Sequence, residues 1–140
     1  IYGCINADWG SKIYILDGCQ FNVAGSAHIY SHNNAYIEAD ATYGVSGSAA
    51  NHILVSLNGS FQHLVNIDFS NSVSFSSAFV QSAMGGAAQF SGAINLLSWA
   101  VAGKRAQADS NSVIQSATGA PNTYFPGSSN FTEAGGGRVL

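Results

Sequence analysis

A repeat with a fixed offset is the feature that most constrains the fold of this chain. An aromatic residue, a valine and a Gly-Ser-Ala run recur 22 residues apart, as Phe21 and Tyr43, Val23 and Val45, and positions 25–27 and 47–49. At the same spacing we expect two rows of stacked side chains: Val23, Val45 and Ile67, and Ile13, Ala35, Leu57 and Phe79. Stacked coils of strands require such a repeat, because each coil buries its apolar face on its neighbours. The sequence therefore predicts an all-β fold, a right-handed parallel β-helix or β-solenoid.

Local patterns place short strands along most of the chain. Lys12–Leu16 and Cys19–Val23 alternate with period two around an Asp-Gly turn, and Ser112–Gln115 has the same character. The segments 77–88 and 94–102 are compatible with a short helix or with strands. We expect one domain, with solenoid coils over residues 1–102 and a loop-rich C-terminal tip over residues 103–140.

The small number of charges limits the partners. Charged residues make up 8% of the chain and the net charge is −3, so little repulsion keeps copies apart and we expect a homo-oligomer. The four basic residues are scattered except for Lys104 and Arg105, and nucleic-acid binding would require a basic stripe. No apolar run approaches the roughly 18 residues that a membrane span needs. We therefore expect neither nucleic acid as a partner nor membrane insertion.

Several motifs occur in an order that resembles a known family. They are residues 43–49 (YGVSGSA) with His52, residues 75–79, Gly92, Ala102–Arg105, the Tyr-Phe-Pro-Gly element at 124–127 and the glycine cluster at 134–137. This order resembles the C-terminal region of tail fibre and tail spike proteins of tailed bacteriophages, over roughly residues 19 to 138. The chain departs from the family pattern at Ala106 and at residues 119–122.

The resemblance implies a homotrimeric, β-rich fibre end in the virion tail. Such a protein acts outside the cell, contacts other tail proteins, and attaches to a bacterial surface glycan or outer-membrane protein. Tyr124, Asn122 and Trp99 are the receptor-binding candidates, because they lie in or near the distal region where a fibre would present its tip. A flat ring with a polar group suits carbohydrate, although core or subunit packing is the ordinary role of such residues.

The acidic residues raise the alternative of a depolymerase that cleaves surface polysaccharide. Glu38 and Asp40 lie two apart on a predicted strand, hence about 7 Å apart on one face, which fits the separation that glycoside hydrolysis requires. Asp17 is a further candidate. The simpler interpretation is a solvated strand face, and we predict a binding protein with no catalytic residue. A third possibility is a bacterial extracellular adhesin or filament subunit.

Histidine and cysteine residues do not form a recognisable metal motif. His28, His32, His52 and His63 contain no His-x-His pair, although one axial histidine per chain would supply three ligands in a trimer. Satisfied or exposed imidazoles are the preferred interpretation, so we predict no metal and no cofactor. A disulfide between Cys4 and Cys19 is possible, but free thiols are preferred.

Overall fold

The structure, a computed structural model, describes residues 5–140 and is built from stacked parallel strands. One short helix, α1 (Pro121–Tyr124), interrupts seventeen strands in this part of the chain. The strands are β1 (Ile5–Ala7), β2 (Lys12–Ile15), β3 (Gln20–Phe21), β4 (Ala27–Ser31), β5 (Tyr36–Ala39), β6 (Tyr43–Val45), β7 (Ala49–Val55), β8 (Ser60–His63), β9 (Ile67–Phe69), β10 (Val73–Ser82), β11 (Ala87–Phe90), β12 (Ile94–Asn95), β13 (Val101–Gly103), β14 (Ala106–Ala108), β15 (Val113–Gln115), β16 (Thr132–Glu133) and β17 (Arg138–Val139).

The strands form three parallel sheets in a β-solenoid, and two of these sheets extend to the end of the stack. Sheet A has the order β1-β4-β7-β10-β14-β16, with β13 also on β10; sheet B has β2-β5-β8-β11-β15-β17; sheet C has β3-β6-β9-β12. From β1 to β12, consecutive strands belong to sheets A, B and C in turn; after β12 the chain adds strands to sheets A and B only, with β13 and β14 both in sheet A. The prediction of an all-β solenoid is confirmed. The Asp-Gly turn after β2 joins two sheets and does not form a hairpin.

Side chains alternate between the interior and the surface of each sheet. In sheet B the interior row contains Ile13, Ile37, Phe61, Ala88, Ile114 and Val139, which pair in register from coil to coil. The adjacent row, one residue further along each strand, faces outward and contains Tyr14, Glu38, Gln62, Gln89 and Gln115. Burial of the interior rows on one another supplies the core, as the hydrophobic effect predicts for such a stack.

The coils are longer than the 22 residues that the sequence repeat predicts. Five residues lie in register in sheet A, one in each of the first to fifth coils: Ile5, Ile29, Ile53, Val80 and Ala106. The intervals between successive coils are therefore 24, 24, 27 and 26 residues. The irregular third interval coincides with a register shift between Phe75 and Ala78.

Both predicted rows of stacked side chains are therefore wrong. Val45 pairs with Phe21 and Phe69, Ile67 pairs with Tyr43, and Val23 is 80% exposed. In the second row, Ile13 pairs with Ile37 instead of Ala35, and Leu57 lies in a turn. The 22-residue match depends largely on Gly, Ser and Ala. Large buried side chains select the register, whereas small ones do not.

Six equivalent turns connect sheet A to sheet B, and we call them the corner turns. Each has two central residues with positive φ: Trp9–Gly10, Asn33–Asn34, Leu57–Asn58, Met84–Gly85, Ser110–Asn111 and Gly135–Gly136. Positive φ at both centres is the requirement of a type I′ turn, which favours Asn and Gly. Backbone hydrogen bonds also link one turn to the next, for example from Asn34 N to Leu57 O at 3.2 Å. The corner turns thus continue the ladder between the sheets.

The stack continues beyond residue 102. Strands β14 to β17 pair with β10, β11 and one another, and Phe125 is buried in the core. The glycine cluster at 134–137 is the last corner turn, and α1 begins in the loop after β15. The segments 77–88 and 94–102, which were open to either structure, contain strands. Cys4 lies outside the described residues, and the disulfide prediction with it.

Candidate binding site

The outer face of sheet C contains one glycine in a row of polar side chains. Gln20, Gly44, Asp68 and Asn95 lie in register in four successive coils and face outward. Gly44 has no side chain, and a Cβ atom there would collide with the carboxamide of Gln20. The Gln20 side chain therefore lies across Gly44 and reaches Ser70, with its Nε2 3.4 Å from Ser70 Oγ. The Gln20 carboxamide therefore fills the space that a side chain at position 44 would occupy.

A cavity of about 520 Å³ occupies this face, and we call it the sheet C cavity. Its wall includes Asp17 and Gln20 from the first coil, Asp68 from the third, and Leu97 and Trp99 from the loop after β12. Trp99 is 39% exposed, so part of its indole ring is open to solvent. No lysine, arginine or histidine is among the residues that line it. The cavity therefore combines an aromatic surface with two carboxylates and no basic side chain.

Local hydrogen bonds orient both carboxylates. Asp68 Oδ1 accepts a hydrogen bond from Asn95 Nδ2 at 2.6 Å, and Asp17 Oδ1 accepts one from the backbone N–H of Gly18 at 2.9 Å. Each carboxylate has a second oxygen and further lone pairs that can accept from a ligand. A few oriented polar groups beside an aromatic ring are typical of small-molecule sites.

The structure separates the three predicted receptor-binding residues. Trp99 lies in the sheet C cavity, together with Asp17. Tyr124 and Asn122 belong to α1 and line another cavity of about 340 Å³. The Tyr124 hydroxyl donates to Gly92 O at 2.5 Å and the ring packs on Phe90 and Phe125. Burial raises the pKa of Tyr124 to about 12. Much of Tyr124 is thus engaged in packing, while Asn122 is exposed.

The proposed acid pair, Glu38 and Asp40, is on the outer side of sheet B. Tyr36 donates a hydrogen bond to Glu38, and this bond, with one from Asp40, lowers the pKa of Glu38. The hydrogen bond with Glu38 raises the pKa of Asp40. The two carboxyl groups thus perturb each other on the outer surface of the sheet. Asp17 lies in the turn after β2, where it lines the sheet C cavity, and it is not among the groups that shift the pKa of Glu38 or of Asp40.

Three of the four histidines lie inside the solenoid. His28, His52 and His63 are fully buried. His28 Nδ1 and His52 Nδ1 are 2.9 Å apart, and His52 Nε2 is 3.0 Å from the Tyr43 hydroxyl. One imidazole nitrogen in the first pair donates and the other accepts. His28 Nε2 and both nitrogens of His63 have no hydrogen-bond partner in the described part of the chain.

Burial determines the ionisation of these rings. It lowers the pKa of His28 and of His63 to about 4, and it lowers the pKa of His52 well below its usual value. His52 has a hydrogen-bond partner at both ring nitrogens, and His63 contacts the rings of Tyr43 and Phe90. Residues 5–140 contain no group of three or more His, Cys, Asp or Glu placed to hold a metal ion. Within the same residues, no helix is long and apolar enough to cross a membrane.

Sequence reasoning missed Gln20 and Asp68 as cavity residues and missed the pairing of His28 with His52. In each case the signal is a spacing of 24: Gln20, Gly44 and Asp68 are spaced by it, and so are His28 and His52. Once the register is known, these residues fall on adjacent rungs.

Comparison with known proteins identifies no relative. No protein-family model matches the chain, and no curated protein and no solved structure is significantly similar to it.

Proposed function

We propose that this chain is a receptor-binding module of a tailed-bacteriophage tail fibre, which attaches to a bacterial surface glycan through the sheet C cavity. The observation that carries the proposal is the partly exposed indole of Trp99 beside Asp17, Asp68 and Gln20 on a solenoid face. Aromatic faces bind the apolar faces of sugar rings, while carboxylates and amides accept and donate hydrogen bonds to hydroxyl groups. The order of motifs that resembles tail fibres supports the phage context.

A stack of parallel coils suits this role mechanically. The first four coils are hydrogen-bonded to one another through three sheets and through the corner turns, which holds the cavity residues of different coils in fixed relative positions. Preorganised contacts lose little conformational entropy on binding. Assembly into a trimer would present three such cavities, and their avidity would exceed the affinity of one.

The trimer is supported by composition and by exposed apolar residues. Only 8% of residues are charged, and Leu16 and Val23 in the first coil are 63% and 80% exposed. Light scattering on the purified chain measures the assembly directly: a mass three times that of the 14.5 kDa chain is expected. A stable monomer would contradict the trimer and the avidity that depends on it.

Attachment is tested by saturable binding of the purified protein to bacterial cells and to their isolated lipopolysaccharide or capsule. We expect Trp99→Ala to weaken binding at least tenfold, whereas Trp9→Ala, at an 83% exposed corner turn, leaves it unchanged. Equal binding by the two variants would eliminate the sheet C cavity as the attachment site. The same incubation separates adhesion from depolymerisation, because cleavage releases oligosaccharide into the supernatant. Copurification with virions separates a fibre from a bacterial adhesin.

A further inference from the structure

The charges around the sheet C cavity select among the sugars that could occupy it. Asp17 and Asp68 both lie in its wall, and the lining contains no basic side chain. A neutral sugar would leave both carboxylates without a counter-charge, and an acidic sugar would be repelled by them. We propose that the sheet C cavity binds a saccharide that carries a protonated amine, that is, an amino sugar without an N-acyl group. This inference rests on the glycan-binding function proposed above.

The aromatic wall favours the same ligand. An ammonium group over the face of an indole is attracted by the ring quadrupole, and Trp offers the strongest such interaction of the aromatic residues. Trp99 is partly exposed at the cavity and Leu97, next to it along the loop, is 81% exposed. A sugar ring can contact this surface with its apolar face while its amine lies toward a carboxylate. The protein thus offers both of the interactions that an amino sugar can make and that an acylated one cannot.

The dimensions of the cavity agree with a saccharide. Its volume of about 520 Å³ is within the range of roughly 300–1,000 Å³ that is usual for small-molecule sites. Residues from the first coil to the loop after β12 contribute to the wall, so the cavity extends along the solenoid axis over several rungs. The rungs of a parallel sheet are about 4.8 Å apart. A short linear oligosaccharide parallel to the axis would therefore contact several rungs in succession.

The experiment compares two probes of equal length, a glucosamine tetrasaccharide and an N-acetylglucosamine tetrasaccharide, by calorimetry near pH 6, where such amines are protonated. We expect the amine form to bind and the acetylated form to bind at least about tenfold more weakly, the ratio that corresponds to one charge-assisted interaction. Asp68→Asn and Asp17→Asn should each weaken binding of the amine form about tenfold. Asp40→Asn, an acid on the exposed side of sheet B, is the matched control and should bind as the parent does.

Thermal unfolding of each variant distinguishes a lost contact from a lost fold. Trp99→Phe is a second, conservative variant, which keeps an aromatic face and should retain part of the affinity. Equal binding of both tetrasaccharides, or equal binding of a lysine oligopeptide, would overturn the preference for amino sugars. If neither tetrasaccharide binds while the protein still attaches to bacterial glycans through Trp99, the inference fails and the proposed function stands. If attachment to glycans is also absent, the proposed function fails with it.

Discussion

The interior of the second and third coils differs from that of the fourth. In the earlier coils the interior contains His28, His52 and His63. In the fourth coil the corresponding rungs carry Phe79 next to His52 and Phe90 next to His63. The rings remain in contact: His52 and Phe79 are stacked with centroids 5.2 Å apart, and His63 and Phe90 are tilted with centroids 5.6 Å apart.

The comparison teaches that one rung position accepts a phenyl ring or a neutral imidazole of similar shape. Only the imidazole can be protonated, and its protonation reduces the free energy of unfolding, because a buried charge without a partner is strongly unfavourable. We therefore expect the two regions to respond differently to acid, and the following experiments test that difference from the largest expected effect to the smallest.

Acid should unfold the protein through its buried histidines. The folded-state pKa of His28 and of His63 is lowered from 6.5 to about 4 by burial, so between these values the unfolded chain binds more protons than the folded one. Stability is complete above about pH 6.5 and falls as the pH decreases toward 4. By linkage each of these two histidines removes up to about 3 kcal/mol at pH 4. Urea unfolding at a series of pH values measures the loss.

One substitution tests whether part of the pH dependence of stability originates in the interior of the solenoid. The titratable groups that face one another in the cluster are His28 on β4, Tyr43 on β6, His52 on β7 and His63 on β8. His63→Leu replaces a buried ring whose pKa burial lowers to about 4 by an apolar side chain that cannot be protonated, and should flatten the decline between pH 6.5 and 4. His32→Gln, on the outer face of sheet A, is the control. An unchanged slope in His63→Leu would show that the acid response originates elsewhere.

Removing a ring from the fourth coil should cost stability at every pH. Phe79 is fully buried and contacts His52, Phe69, Phe75 and Phe125. Phe79→Ala should reduce the free energy of unfolding by about 3–5 kcal/mol, through lost burial and the cavity left behind. The loss should be the same at pH 7 and pH 5, in contrast to the histidine effect, which develops only below about pH 6.5. Leu97→Ala, at an exposed position, should change stability by less than about 0.5 kcal/mol. A loss below about 1 kcal/mol for Phe79→Ala would argue against a tightly packed aromatic interior.

The all-β stack was accessible from the sequence, but the register and the contrast between the two interiors were not. Alternation of apolar and polar residues and punctuation by Gly and Asn correctly predicted an all-β stack. The 22-residue match was misleading because Gly, Ser and Ala recur there, whereas the interior is ordered by Ile5, Ile29 and Ile53 at a spacing of 24. The length of a coil depends on which large side chains pack on one another in the core. Loops of variable length make that spacing difficult to recognise in the sequence.

The same limit applies to the candidate site. Trp99 was singled out for its chemistry and does lie in the sheet C cavity, but Gln20 and Asp68 carry no motif of their own. They become a site only when Gly44 is placed between them on the sheet. Tyr124 has the same chemical character as Trp99, yet its ring is largely used in packing on Phe90 and Phe125. Sequence indicates which residues could bind a sugar, and packing decides which are available.

The hydroxyl of Tyr43 connects the histidine cluster to sheet C, and removing it should have an intermediate effect. Tyr43→Phe leaves His52 Nε2 without its partner at 3.0 Å in a fully buried site. A buried unsatisfied group costs about 1–3 kcal/mol. Tyr30→Phe removes a comparable bond, 3.1 Å to Ser56 Oγ, at the half-buried outer face of sheet A, where water can replace it. We expect Tyr30→Phe to cost clearly less; equal losses from the two variants would indicate that water also reaches the interior cluster.

The smallest effect concerns a feature that the two regions share, the corner turns. Leu57 in the third coil has φ 50° and Met84 in the fourth has φ 49°, although neither residue favours the left-handed region. Leu57→Gly and Met84→Gly should therefore relieve strain worth about 1 kcal/mol, which offsets the flexibility that glycine adds to the unfolded chain. Leu64 is the matched control, since it is 41% exposed against 40% for Leu57 but its φ is not positive.

Leu64→Gly should destabilise the protein by about 0.5–1 kcal/mol, because glycine adds unfolded-state entropy there without relieving strain. Urea unfolding of each variant beside the parent protein measures the change in the free energy of unfolding. It should distinguish the loss at Leu64 from the near-neutral or stabilising changes at Leu57 and Met84. If Leu57→Gly and Met84→Gly agree in sign, the turn geometry is independent of whether the interior below is imidazole or phenyl. If the two changes in stability differ in sign, the packing of the interior affects the geometry of the corner turns. The two regions then differ in turn geometry as well as in the charge that their interiors can acquire.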